Sequence, residues 1–134
     1  MDRKKISFEY VKEACKAIDD KLGIDLTVLD ISDESTIADY FVIAGAGNPS
    51  QLSAMADAVG ENVFKNAGGR LHHAEGFSSK KWILLDFGDI IVHLFDKDTR
   101  EFYNIEHTWG DAKKLDAEGI VKGTLKFEDV NGEG

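Results

Sequence analysis

At 134 residues with ordinary apolar content, the chain is expected to form one domain around a single core. A formal charge of −9 argues against nucleic acid as a direct, sequence-specific partner, because phosphate binding needs Lys and Arg, and it favours a basic protein instead. A lone cysteine excludes an internal disulfide framework and fits the cytoplasm. No apolar run reaches the ~20 residues of a bilayer span, and MDRKKISFEY lacks the apolar stretch of a secretory signal.

In chain order, Ser7 is placed to cap a helix running to about Leu22. Val11, Ala14, Cys15, Ile18 and Leu22 form its apolar stripe, and Gly23 stops it. "DLTVLDIS" alternates roughly as a strand, and "ADYFVIAG" reads as a second, more fully buried strand. "GAGNPSQ" opens the next helix, with Asn48 as cap, Pro49 at the first helical position and Gln51 three residues after the cap. Leu52, Met55, Ala56, Val59 and Val63 make the stripe, and Gly68-Gly69 end it. "RLHHAEG" is a short strand; "KKWILLDF" and "DIIVHLF" are strong strands on either side of Gly88. Asp98, with Glu101 three later, predicts a helix from about Thr99 to Trp109, stopped by Gly110. After about Leu115 the pattern fades. Residues 1–115 are expected to form the domain and 116–134 an acidic, loose tail. The order α-β-β-α-β-β-β-α predicts an α/β (or α+β) fold, a mixed sheet of about five strands flanked by helices.

The hairpin around Gly88 holds most of the information. A two-residue turn at Gly88-Asp89 puts Ile83, Leu85, Phe87, Ile90, Val92 and Leu94 on one wholly apolar face, the core face. The other face carries Trp82, Leu84 and Asp86 opposite Phe95, His93 and Ile91. Trp and Phe together bring too much apolar area to be freely solvated. Two readings stay open: the last helix seals this face within the chain, or it covers it in part and leaves a patch for another protein. Phe102, Ile105 and Trp109 form the core stripe of that helix, and Tyr103, Glu106 and His107 lie on its flank, the residue mix of a protein interface.

Catalytic signals are thin. "GAGNPS" lacks the third Gly of a dinucleotide fingerprint and the Gly-Lys-Ser/Thr of a P-loop. Asp86 and Asp89 are the acids for a metal-dependent nucleotidyl or phosphoryl transferase, the alternative reading, but they need a third converging carboxylate. The adjacent His72 and His73 point to opposite faces of a strand, and Cys15 belongs to a helix stripe. No cofactor is implied.

Laid out this way, the chain resembles the bacterial ribosomal silencing factor, or Iojap-related, family from about Phe8 to Ala112. The carrying segments are "LDISDESTIADYFVIA", "AMAD", Glu75-Gly76, "WILLDFGDIIVHLF" and "REFYNIEHTW". The resemblance implies a nucleotidyltransferase-like fold without catalytic competence. It also implies a non-enzymatic module that binds the large ribosomal subunit through ribosomal protein L14, blocks joining of the small subunit and represses translation when nutrients are limiting. Carried over residue by residue, the partner surface is Trp82, Asp86, Asp89, His93, Tyr103, Glu106 and Trp109, with Gly88 as turn residue. A homodimer burying the same patch is a further expected partner. Ser50 stands where the family carries Arg, and Thr108 where it usually carries Leu.

Overall fold

The computed structural model describes residues 2–130. Helix α1 (Arg3–Asp20) buries Val11, Ala14, Cys15 and Ile18 of the stripe read from the sequence, and Phe8 besides; Leu22, the last residue of that stripe, instead lies beyond the helix end at φ 63° and is exposed. Its start differs from expectation. Asp2 is the cap, accepting from the Lys4 amide at 2.9 Å, while Ser7 lies inside the helix. The single Ser7 hydroxyl hydrogen is instead shared between two acceptors, the Arg3 carbonyl and Asp39 Oδ2, so a residue that resembles a cap in sequence serves as a buried tie. Helix α2 (Pro49–Ala67) begins and ends as expected, with Asn48 Oδ1 accepting from the Gln51 amide at 2.8 Å and Gly68 closing it at φ 74°. The Gln51 side chain also donates to the carbonyls of Lys21 and Leu22, satisfying acceptors left open where α1 ends.

The strands are β1 (Ile24–Asp30), β2 (Tyr40–Gly45), β3 (His73–Glu75), β4 (Trp82–Asp86), β5 (Ile90–Phe95) and β6 (Lys113–Leu115). They form one mixed sheet in the order β3-β4-β5-β2-β1-β6. The β2–β5 pair is parallel and the other pairs are antiparallel. All six residues of β2 are buried, as a strand covered on both faces requires. The β4–β5 register is the one read from the sequence: Trp82 faces Phe95, Ile83 faces Leu94 and Leu85 faces Val92. Gly88 takes φ 92° at the turn, and a Cβ there would stand 2.8 Å from the His72 ring. On one face of the sheet the hairpin's apolar set packs beneath α1 and α2 with Val28, Tyr40 and Val42.

The second face carries Leu29, Ile31, Phe41, Ile43 and Phe95. Two short helices lie over it in place of the single helix expected from Thr99 to Trp109. They are α3 (Lys97–Tyr103) and α4 (Ile105–Thr108), separated by Asn104 in the left-handed conformation (φ 42°). Asn tolerates that conformation better than most residues, and the break redirects the chain. Ile105 and Trp109 turn onto the sheet, while Phe102, expected in the core stripe, is left 80% exposed. The cap of α3 is Asp96, whose Oδ1 accepts from the Thr99 amide at 2.8 Å, two residues ahead of the Asp98 read from sequence. The helix starts directly off β5.

The segment after residue 115 also differs from the loose tail expected of it. Leu115 closes β6 on the open edge of β1, adding a sixth strand. Asp116 caps α5 (Ala117–Lys122), which buries Ile120. In α6 (Phe127–Val130), the Phe127 ring packs at a tilt against Phe8, centroids 5.9 Å apart. Its apolar anchors are too few and too irregularly spaced to show a period, yet each finds a place beside α1. Residues 131–134 of the expected tail lie outside the described residues.

Candidate functional site

The side of the β4–β5 hairpin opposite α1 and α2 and the helices over it form one aromatic cluster. Trp82 is its hub. Its ring lies 4.8 Å from Phe95, 5.9 Å from His93 and 4.9 Å from Tyr103, centroid to centroid. Phe41 links this group to Trp109, 4.6 Å from His93 on one side and 5.3 Å from the indole on the other. Strand alternation supplies the geometry: residues 82, 93 and 95 share the face opposite the core, and Phe41 of the neighbouring parallel strand shares it too.

Burial separates supports from surface. His93 and Phe95 are sealed, Trp82 and Trp109 are half-buried, and Tyr103 is 52% exposed. The cluster is therefore neither a closed interior nor a bare face. Neither α3 nor α4 buries a residue completely, so their cover of the sheet is partial.

The Trp82 Nε1–H donates to His93 Nδ1 at 3.2 Å, which leaves the imidazole proton on Nε2. That nitrogen is buried without a hydrogen-bond partner. Burial lowers the His93 pKa to about 4, so the ring is neutral at physiological pH. His93 thus holds the indole from beneath and is itself shielded.

Glu106 is held by Arg100. Its Oε2 accepts from Arg100 Nε at 3.0 Å and Nη2 at 2.6 Å. The same guanidinium donates to the carbonyls of Ile24 and Asp25 and to the Thr27 hydroxyl. One Arg side chain therefore fastens the α3–α4 corner to the start of β1. In the straight helix expected from the sequence, Arg100 would lie one turn before Tyr103. The break at Asn104, which brings Glu106 back to it, has a signal only in the residue type.

The remaining two expected residues sit at the turn. Asp86 Oδ1 accepts from the Gly88 amide at 2.7 Å, and Asp89 Oδ1 accepts from Arg3 at 2.7 Å. Asp89 raises the Arg3 pKa chiefly through that hydrogen bond. Arg3 also reaches the buried Asp39. The two acids are thus committed to different local ties, and among the described residues no three His, Cys, Asp or Glu side chains are grouped to hold a metal. In the "GAGNPS" turn, the Gly47 amide donates to Gln51 Oε1 at 2.6 Å and the Gln51 amide to Asn48, so these donors serve the helix start. Phe102 is the surface residue that sequence reading misplaced: its ring stands edge-on to Tyr103 at 5.0 Å, at the outer end of the cluster.

Comparison with known proteins places the chain in a family. A family model described as "Ribosomal silencing factor during starvation" matches residues 4–131. A Bacillus subtilis protein named ribosomal silencing factor RsfS is 40% identical over 79% of this chain and 89% of its own length. The chloroplastic protein Iojap of Arabidopsis thaliana is 31% identical over 92% of this chain, which spans about half (48%) of that longer protein. A crystal structure of a Chromobacterium violaceum protein superposes with a TM-score of 0.73 at 33% identity, covering 82% of this chain and 88% of that one.

Proposed function

The chain belongs to the ribosomal silencing factor family, which includes the Iojap proteins, and we propose that it acts by docking its aromatic face on ribosomal protein L14 of the large subunit. Family membership makes it a ribosome-associated regulator of translation. In the proposed mechanism the bound protein stands where the small subunit must join. Joining is prevented by occupation of space, and translation falls when nutrients are limiting. No bond is made or broken, so the chain works as a binding module.

The observation that carries this reading is the half-open contact of Tyr103 with Trp82, rings tilted 48° with centroids 4.9 Å apart, supported from below by the sealed His93 and Phe95. Rigid aromatic groups of this kind, polar at one end and backed by a packed layer, are the residues that anchor protein interfaces. The charge of −9 supports a basic partner and speeds its approach, provided the acids face protein and not phosphate. Trp109 and Glu106 hold the flank of the same face, and Asp86 and Asp89 border it at the turn. A second copy of the chain fits the same patch and would compete with the ribosome for it.

Binding of the purified protein to isolated L14, measured by calorimetry alongside the Tyr103→Ala variant, tests the reading. Tight binding that the variant weakens supports it; no binding to L14 overturns the choice of partner.

A further inference from the structure

Phe102 is the most exposed large apolar side chain among the described residues, at 80%. It is also held in place. Its helix is capped by Asp96, the Asn104 amide closes the helix on the Arg100 carbonyl at 2.8 Å, and the Arg100 guanidinium is fastened to Glu106 and to β1. An exposed phenyl on a fixed support loses little conformational freedom on binding, so its burial adds to affinity with a small entropic penalty.

The ring is continuous with the docking cluster. It stands perpendicular to Tyr103, which in turn packs at a tilt against Trp82. The two exposed acids of the same helix, Asp98 and Glu101, flank it: Asp98 lies one turn earlier, on the same side, and Glu101 is the preceding residue. Nothing within the described chain covers this group.

We infer that Phe102 is an anchor of the docking surface, entering an apolar socket on the partner protein whose rim carries Lys or Arg side chains that meet Asp98 and Glu101. This rests on the docking reading above and extends it to a residue that helix periodicity assigned to the core stripe and that the family resemblance did not place on the partner surface. The occupant is a basic protein surface; a socket without basic rim groups would leave the two acids facing apolar groups.

The test is cosedimentation of the full-length protein with purified large subunits, comparing wild type with Phe102→Ser, Phe102→Leu and Tyr103→Ala, and with Phe64→Ser as a control at the exposed apolar side chain of α2. Phe102→Ser should weaken binding roughly tenfold to hundredfold, the equivalent of losing one buried phenyl, at an unchanged melting temperature. Phe102→Leu should keep most of the affinity, and Phe64→Ser all of it. If Phe102→Ser binds like wild type while Tyr103→Ala does not, the anchor is refuted and the docking reading stands. If wild type fails to sediment with large subunits, or both variants bind fully, the docking reading falls and the anchor with it. A Phe102→Ser protein that melts lower marks a structural residue and also overturns the inference.

Discussion

The indole of Trp82 donates its Nε1–H to Nδ1 of His93 at 3.2 Å, joining the two strands of the hairpin through side chains on the face away from the core. This bond fixes the orientation of the ring against which Tyr103 packs. It also fixes the imidazole tautomer, and with it a pH response.

His93 is neutral when folded, with a pKa near 4 produced by burial, against 6.5 for the free group. Between those values the unfolded chain binds more protons than the folded one. The stability that His93 contributes is fully present above pH ~6.5 and is lost as pH falls towards 4, on the order of 3 kcal/mol in all. Urea midpoints across this range should fall with pH in the wild type. They should fall less in His93→Gln, which titrates no imidazole.

Trp82 and Tyr103 touch each other but differ in what they support. Trp82→Ala removes the centre of the cluster and leaves a cavity over Phe95, for a stability loss of about 2–4 kcal/mol in addition to any loss of binding. Tyr103 is half exposed on a short helix, so Tyr103→Ala should cost under about 1 kcal/mol. Thermal melts of the two variants check the difference. Equal losses would mean that Tyr103 is scaffold.

Arg100 replaces the helix stripe as the device that positions α3 and α4. Arg100→Ala leaves Glu106 without its cation and the Ile24 and Asp25 carbonyls without their donor, which should cost about 2–4 kcal/mol. Arg100→Lys should rescue little, because one ammonium group does not span the carboxylate and both carbonyls. With both tryptophans in this region, a red-shifted emission from the Ala variant at a temperature where it remains folded would report the loosened corner. Glu106→Ala belongs with this group. The residue read from sequence as a free flank position is a structural partner, and its removal should lower stability as well as binding.

The helices after Leu115 are part of the fold. A chain ending at residue 115 uncovers Phe8 and its neighbours and loses the burial of Ile120 and Phe127, each worth about 1.5–3 kcal/mol. Such a truncation should be several kcal/mol less stable and prone to aggregate, and Phe127→Ala should reproduce part of the loss. A truncated chain that melts like the full protein would contradict the packing described for α5 and α6.

The parts legible in sequence were those with a strict period and a local signal. The β4–β5 register followed from alternation about Gly88, and the α2 start followed from Asn48 and Pro49. Cap signals without a tertiary context misled. Ser7 has the chemistry of a cap but bonds Asp39, 32 positions away, and Asp98 was outranked by Asp96 at the end of the strand. The helix break at Asn104 depends on where Ile105 and Trp109 meet the sheet, a long-range demand that no local window contains. For the same reason the aromatic composition of the site was visible, whereas the division into sealed supports (His93, Phe95), half-buried hub (Trp82) and exposed surface (Tyr103, Phe102) was not.

The most direct measurement is sedimentation of purified ribosomal subunits mixed at a magnesium concentration that favours joining, with and without the protein. The account predicts that the protein travels with the large subunit, that joined ribosomes decline as it is added, and that Tyr103→Ala restores joining. Joined ribosomes forming undiminished with the protein bound, or a protein that stays at the top of the gradient, would contradict it.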